Sequence, residues 1–119
     1  MKELDPKVIG PKDTYKLLIS SIVPRPIAFV STISPEGKIN LAPFSFFNGV
    51  SSNPPCLMIS ITRKPDGEKK DTLVNIEKTG EFVVNMAHES LIEAINQCSA
   101  DYPYGVSELE AVGLTALPS

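Results

Sequence analysis

The chain has 119 residues, 42% of them hydrophobic and 21% charged, and carries a formal net charge of −3. That length holds one domain with a real core, and that balance excludes a disordered chain. The charge is uneven: residues 1–76 carry ten Lys/Arg against seven Asp/Glu, residues 77–119 one against seven, which excludes general nucleic-acid binding and assigns any anion site to the first half.

The residues through Pro11 read as an extended arm. Asp13 is placed to cap a helix in which Tyr15, Leu18, Ile19 and Ile22 recur at helical spacing, and Pro24 and Pro26 end it. Ile27 to Ile33 reads as a strand, Ser34-Pro-Glu-Gly37 as a turn, and Lys38 to Ala42 as the returning strand. Phe44 to Val50 reads as a bent strand or loop, broken by Asn53-Pro-Pro55. Cys56 to Ile61 is a short, nearly continuous apolar strand suited to burial. After a polar loop, Asp71 or Thr72 caps a helix carrying Leu73, Val74 and Ile76, which Gly80 stops. Glu81 to Met86 is another strand. Ser90-Leu-Ile-Glu93 matches a capping box and opens a helix with Leu91, Ile92, Ala94, Ile95 and Cys98. Asp101 to Gly105 is a loop, and Glu108 to Val112 one more helical turn. Strands and helices are mixed and the first strands are joined by a tight turn, so an antiparallel sheet or barrel with peripheral helices fits better than a doubly wound parallel sheet.

Standard catalytic constellations are mostly missing. His88 is the single histidine, so there is no His-rich metal site, and Cys56, Cys98 and His88 lack zinc-like spacing. Both cysteines read as buried free thiols. Sequence order leaves a Ser–His–acid triad open, but Gly-X-Ser-X-Gly is absent and so is any Gly-rich phosphate loop. No catalytic side chain and no metal ligand is assigned. No window approaches transmembrane length, and the charged, Pro-interrupted N-terminus lacks the apolar run of a secretory leader, so a cytoplasmic protein without a membrane partner is expected.

Two segments stand out. Asn40-Leu-Ala-Pro-Phe-Ser-Phe-Phe-Asn48 interleaves aromatics with amides and small side chains, which suits a flat heteroaromatic ligand, although clustered aromatics also build cores. Arg63 to Lys70 is basic and leads into a helix start, where free N–H groups and the helix dipole favour an anion. Arg63, Lys69 or Lys70 with Thr72 suit a phosphate. A solvated basic loop before an ordinary helix explains the same residues.

Arg25-Pro-Ile-Ala-Phe-Val-Ser-Thr32, Asn40 to Asn48, Asn53-Pro-Pro55, Lys70-Asp-Thr-Leu-Val-Asn-Ile76, Glu81-Phe-Val-Val-Asn85 and Tyr104-Gly-Val-Ser-Glu108 occur in this order. Together they resemble the flavin reductase-like, FMN-binding split-barrel family, its flavoredoxin-type branch most. The resemblance implies a mainly β fold with peripheral helices, an antiparallel split β-barrel forming one domain over residues 1–119. It further implies FMN as cofactor, NAD(P)H as hydride donor in reductase members, and a homodimer with FMN near the subunit interface. Free flavin or a protein partner would then take the electrons. Carried onto this chain, Ser31 and Thr32 lie beside the cofactor. Asn40, Ala42, Pro43, Ser45, Phe46 and Asn48 line the ring and ribityl region, and Ser60, Arg63, Lys70, Asp71 and Thr72 surround the phosphate. Family members continue past Gly113–Pro118 with strands that complete the barrel, so an incomplete barrel, truncated on its C-terminal side, is expected. An FMN electron carrier, or a non-catalytic domain serving dimerisation or partner binding, are the alternatives to an NAD(P)H-dependent flavin oxidoreductase.

Overall fold

A computed structural model describes residues 3–100, 102 and 106–118. Its centre is a three-stranded antiparallel sheet in the order β2-β1-β5, formed by β1 (Ala28–Ile33), β2 (Ile39–Phe44) and β5 (Val83–Met86). The β1–β2 turn is closed by Ser34 N–H donating to Lys38 O (2.8 Å) and Gly37 N–H donating to Ser34 O (2.9 Å), with Gly37 at φ 83°. Only glycine takes that angle without strain, so the expected turn is built as the sequence demands.

Alternation along β1 sends successive side chains to opposite faces, and both faces are covered. On one, Ala28, Val30 and Phe44 pack with Ala42, Phe47, Ile59, Ile61 and Val84. Helix α2 (Asp71–Thr79) covers the polar end of this face, where Asn75 Nδ2 donates to Thr32 Oγ1 at 3.1 Å. On the other, Phe29, Leu41 and Cys98 pack with Ile95, Leu109, Val112 and Leu114, supplied largely by α3 (Ile92–Gln97) and α4 (Glu108–Ala111).

The edge of β2 is closed by the start of α4. Ser107 Oγ donates to Ile39 O (3.0 Å), and Leu41 N–H donates to Glu108 Oε2 (3.2 Å). Side chains thus satisfy groups that an open edge would present to a foreign strand. Pro43 falls on the same outward side as Leu41, so its missing N–H costs the ladder nothing.

A second sheet, the hairpin of β3 (Phe47–Ser52) and β4 (Pro55–Ile59), leaves this body with a bulge at Gly49–Ser51. Neither sheet closes into a barrel, and the architecture is a split-barrel arrangement of antiparallel strands with helices around it. Helix α1 (Pro6–Ser21) contains no buried residue. It joins the rest through Tyr15 against Phe46 (ring centroids 6.1 Å apart) and through Arg25, which donates to Ile19 O, Ile22 O and Ser45 Oγ.

Several expectations need correction. The stretch before Pro11 is not an extended arm: Asp5 caps a helical turn by accepting from Lys7 N–H (2.9 Å), Gly10 kinks the chain at φ 78°, and the helix resumes. Asp13 therefore lies inside α1 and pairs with Lys16 at 3.5 Å rather than capping. Strand β4 is exposed along most of its length, and so is Cys56, because among the described residues no layer covers the hairpin; Cys98 is buried as expected. The N-cap of α2 is Lys70, without a side-chain bond, since Asp71 and Thr72 are already helical and turned to other partners. The Ser90 capping box does not form: Glu89–Leu91 is a 3₁₀ turn, and Ser90 Oγ bonds His88 Nδ1 instead (2.9 Å). Gly80 ends α2 at φ 76°, as its position predicts. The loop expected at Asp101–Gly105 lies outside the described residues except for Tyr102.

Candidate functional site

Where β2, the start of α2 and the chain after α3 meet, a cavity of about 200 Å³ opens. Asn40, Ala42, Pro43 and Phe44 form its floor, Lys64, Lys70, Asp71 and Thr72 one wall, and Cys98, Ser99, Ala100, Tyr102 and Glu108 the other. The positions follow from local rules. Period-two alternation on β2 sends Asn40, Ala42 and Phe44 to the face that α2 covers. Helix geometry puts the N–H groups of Asp71 and Thr72 ahead of the first intrahelical bond, Leu73 N–H to Lys70 O (2.9 Å), so neither has a partner within the helix.

The charges are balanced before anything binds. Lys64 Nζ lies 3.3 Å from Asp71 Oδ1, and the Lys70 ammonium stands 5.9 Å from the centre of the Phe44 ring. Glu108 is buried, and burial pushes its carboxyl above the usual range, with the Asp71 charge adding to the rise and the Leu41 N–H and Lys64 opposing it. Burial likewise raises the Cys98 thiol, with Glu108 contributing, so this cysteine is a poor nucleophile.

Asn40, Thr72 and Glu108 form one buried polar cluster. The Asn40 amide lies with one end 2.9 Å from Thr72 Oγ1 and the other 3.2 and 3.3 Å from the Glu108 oxygens. An ionised carboxylate only accepts, so the amide nitrogen faces Glu108 and the amide oxygen accepts from the Thr72 hydroxyl.

Six of the thirteen residues proposed from sequence gather here: Asn40, Ala42, Pro43, Lys70, Asp71 and Thr72. The other seven lie elsewhere. Thr32 is buried beneath α2, and Ser31 accepts from Asn85 Nδ2 at 3.2 Å. Ser45 is held by Arg25, Phe46 packs on Tyr15, and Asn48 is exposed on β3. Ser60 N–H donates to Phe46 O, and Arg63 turns back to Gly67 O within its own loop. Lys69 pairs with Glu77 at 2.6 Å, away from the cavity. Sequence reasoning missed Lys64 and Glu108 as lining residues. Lys64 sits in the basic loop already singled out. Nothing in the local pattern marks Glu108 as buried. A neighbouring cavity of about 240 Å³, lined by Ser34, Glu36, Lys38 and Asn75 among others, shares only Asn40 and Asp71 with the proposed set.

Residues 19–119 match the family described as the flavin reductase like domain. The chain belongs to the flavin reductase-like family. This flavin reductase-like chain is 48% identical over 117 residues to an uncharacterised protein of Halalkalibacterium halodurans, covering 98% of the chain and 56% of the relative. It superimposes on the crystal structure of nitrilotriacetate monooxygenase component B from Bacillus cereus with a TM-score of 0.93 and 46% identity, over 100% of this chain and 58% of that one. Flavoredoxin of Desulfovibrio vulgaris shares the fold, at a TM-score of 0.72 and 19% identity over 82% of this chain and 51% of its own. The chain thus spans a little over half the length of the curated relative. Among the described residues, no helix is long and apolar enough to cross a membrane.

Proposed function

We propose that this chain binds FMN and serves an NAD(P)H-dependent flavin oxidoreductase. The observation that carries the reading is the convergence on one cavity of Lys64, Lys70, Asp71 and Thr72, at a helix start whose first N–H groups have no partner within the helix. Two ammonium groups beside the N–H groups of a helix start are the donor set of a phosphate monoester site. The donors fit the group; the volume fits only part of it. About 200 Å³ takes a phosphate and adjoining polyol, whereas sites for whole cofactor-sized ligands run from about 300 to 1,000 Å³. The ring is therefore assigned to the half-buried stretch from Pro43 to Phe46, which begins at the cavity floor.

Bound flavin would supply the electron-transfer chemistry, and the protein would bind, orient and tune it. Lys64 and Lys70 neutralise the phosphate. Lys64 would be held at the cavity wall by its pair with Asp71, 3.3 Å away, and would present its remaining N–H groups to a phosphate. Small Ala42 and the rigid ring of Pro43 would leave room for a planar ligand, and the Ser45 N–H, just past the end of the β1–β2 ladder, would be a donor to oxygens of the reduced ring. No side-chain acid or base is required. The apolar, exposed residues of α1, its C-cap Ile22 and the β3–β4 hairpin, including Leu17, Leu18, Val50, Leu57 and Met58, support association into a homodimer. Free flavin or a protein partner is the assigned electron acceptor.

The test is spectroscopic. The protein is purified without added flavin, titrated with FMN, then treated anaerobically with NADH or NADPH. A yellow protein bleached by NAD(P)H is expected. Yellow protein that NAD(P)H leaves unbleached makes it an electron carrier, and failure to take up FMN at all sinks both readings.

A further inference from the structure

We propose that Glu108 is a positioning residue for the anion end of this site: acting through Asn40, it sets whether the Thr72 hydroxyl donates inward or into the cavity. The inference rests on the phosphate reading given above and adds a residue to it that contacts no phosphate itself.

Asn40, Thr72 and Glu108 are 7%, 1% and 8% exposed and all three line the cavity, so each bonds within the cluster and borders the space an anion would enter. The same atomic positions admit two orientations of the Asn40 amide, one for each charge state of Glu108. With Glu108 ionised, the amide nitrogen donates to the carboxylate and the amide oxygen accepts from Thr72 Oγ1. A hydroxyl has one hydrogen, so Thr72 then has none to offer a ligand. With a proton from solvent on Oε1, Glu108 donates to the amide oxygen, while Oε2 continues to accept from Leu41 N–H. The amide turns over, its nitrogen donates to Thr72 Oγ1 at 2.9 Å, and the hydroxyl hydrogen is free for an anion. Only the amide rotates. Anion binding and proton uptake at Glu108 are thereby linked, each favouring the other.

The surroundings fit this role. Asp71 from α2 disfavours charge on Glu108, and Lys64 from the loop before α2 favours it, while burial is the largest influence and raises the carboxyl. Among the described residues, Lys70, the Cys98 thiol at the end of α3 and Tyr102 complete the titratable groups around the cavity, with Glu110 on the same helix as Glu108. A phosphate dianion beside Lys64 and Lys70 adds negative charge next to Glu108 and drives proton uptake further.

The test measures FMN affinity of the full chain from about pH 5 to about pH 8 for the wild type, Glu108→Gln, Thr72→Val and the double variant. In Glu108→Gln the new side-chain amide presents its nitrogen to the amide oxygen of Asn40 and its oxygen to Leu41, which holds the relay in its anion-donating direction. The ionisation of the phosphate itself is common to all four proteins, so the difference between wild type and Glu108→Gln is the readout. We expect Glu108→Gln to bind FMN about tenfold tighter than wild type at the alkaline end, with the gain shrinking as pH falls. We expect that gain to vanish in the Thr72→Val background. A gain that survives Thr72→Val is simple charge repulsion and overturns the relay, as does no gain. If no protein in the set binds FMN, the phosphate reading falls together with the inference; binding without coupling sinks the inference alone. In the ligand-free wild type, the Asn40 side-chain amide resonances are expected to move as Glu108 titrates, and resonances that stay fixed overturn the proposal without any variant.

Discussion

The sheet β2-β1-β5 and the hairpin β3–β4 are built from similar residues and end in opposite environments. Phe29 is 2% exposed while Leu57 is 56% exposed, although both stand in apolar strands. The difference is cover. The first sheet has α2 on one face and α3 with α4 on the other, and its β2 edge is sealed by Ser107 and Glu108. The hairpin has none of these among the described residues. The cavity lies in the covered region, where buried polar groups can be held in fixed geometry. The exposed apolar side chains Val50, Leu57 and Met58 lie in the uncovered one.

The largest contrast to test is in thiol reactivity. Exposed Cys56 is expected to react with a thiol reagent in the native protein, and buried Cys98 only on opening of the fold, so their rates should differ by several orders of magnitude. Comparable rates would erase the distinction between the two regions. Next in size, Phe29→Ala should cost about 3–5 kcal/mol in urea unfolding, whereas Met58→Ala in the hairpin should cost under about 0.5 kcal/mol if it remains uncovered in solution. A large loss from Met58→Ala would instead show that a partner or further chain packs on the hairpin. Within the covered region, Lys70→Ala should weaken FMN binding by about 1.5–3 kcal/mol, measured by fluorescence titration, while Lys69→Ala, already paired with Glu77, should leave it within about 0.5 kcal/mol. The smallest effect concerns pH. The Glu108 carboxyl is raised in the folded state, so its contribution to stability is full below the unfolded value of 4.5 and is lost as pH rises through the folded value. Glu108→Gln should remove that decline, and denaturation curves across this range will show whether the limb disappears.

The site was legible in proportion to how local its signals were. Lys70, Asp71 and Thr72 follow from a basic loop meeting a helix start, and Asn40, Ala42 and Pro43 share one polar strand; all six line the cavity. Ser60 and Arg63 carry the right chemistry at plausible spacing, but the loop turns Arg63 onto Gly67 and Ser60 pairs with Phe46. Glu108 was invisible as a site residue because its burial depends on α4 meeting a strand edge 67 positions away in sequence.

The sequence alone determined the β1–β2 hairpin, the stop at Gly80, the antiparallel, helix-flanked fold and the family resemblance, because turn glycines, period-two alternation and contiguous motifs are short-range. Only the tertiary structure decided which apolar strand is covered, which cation reaches the cavity, and that Glu108, Asn40 and Thr72 form one buried polar cluster. Those outcomes depend on which surfaces remain to be paired once the central sheet has formed, and no local pattern encodes that.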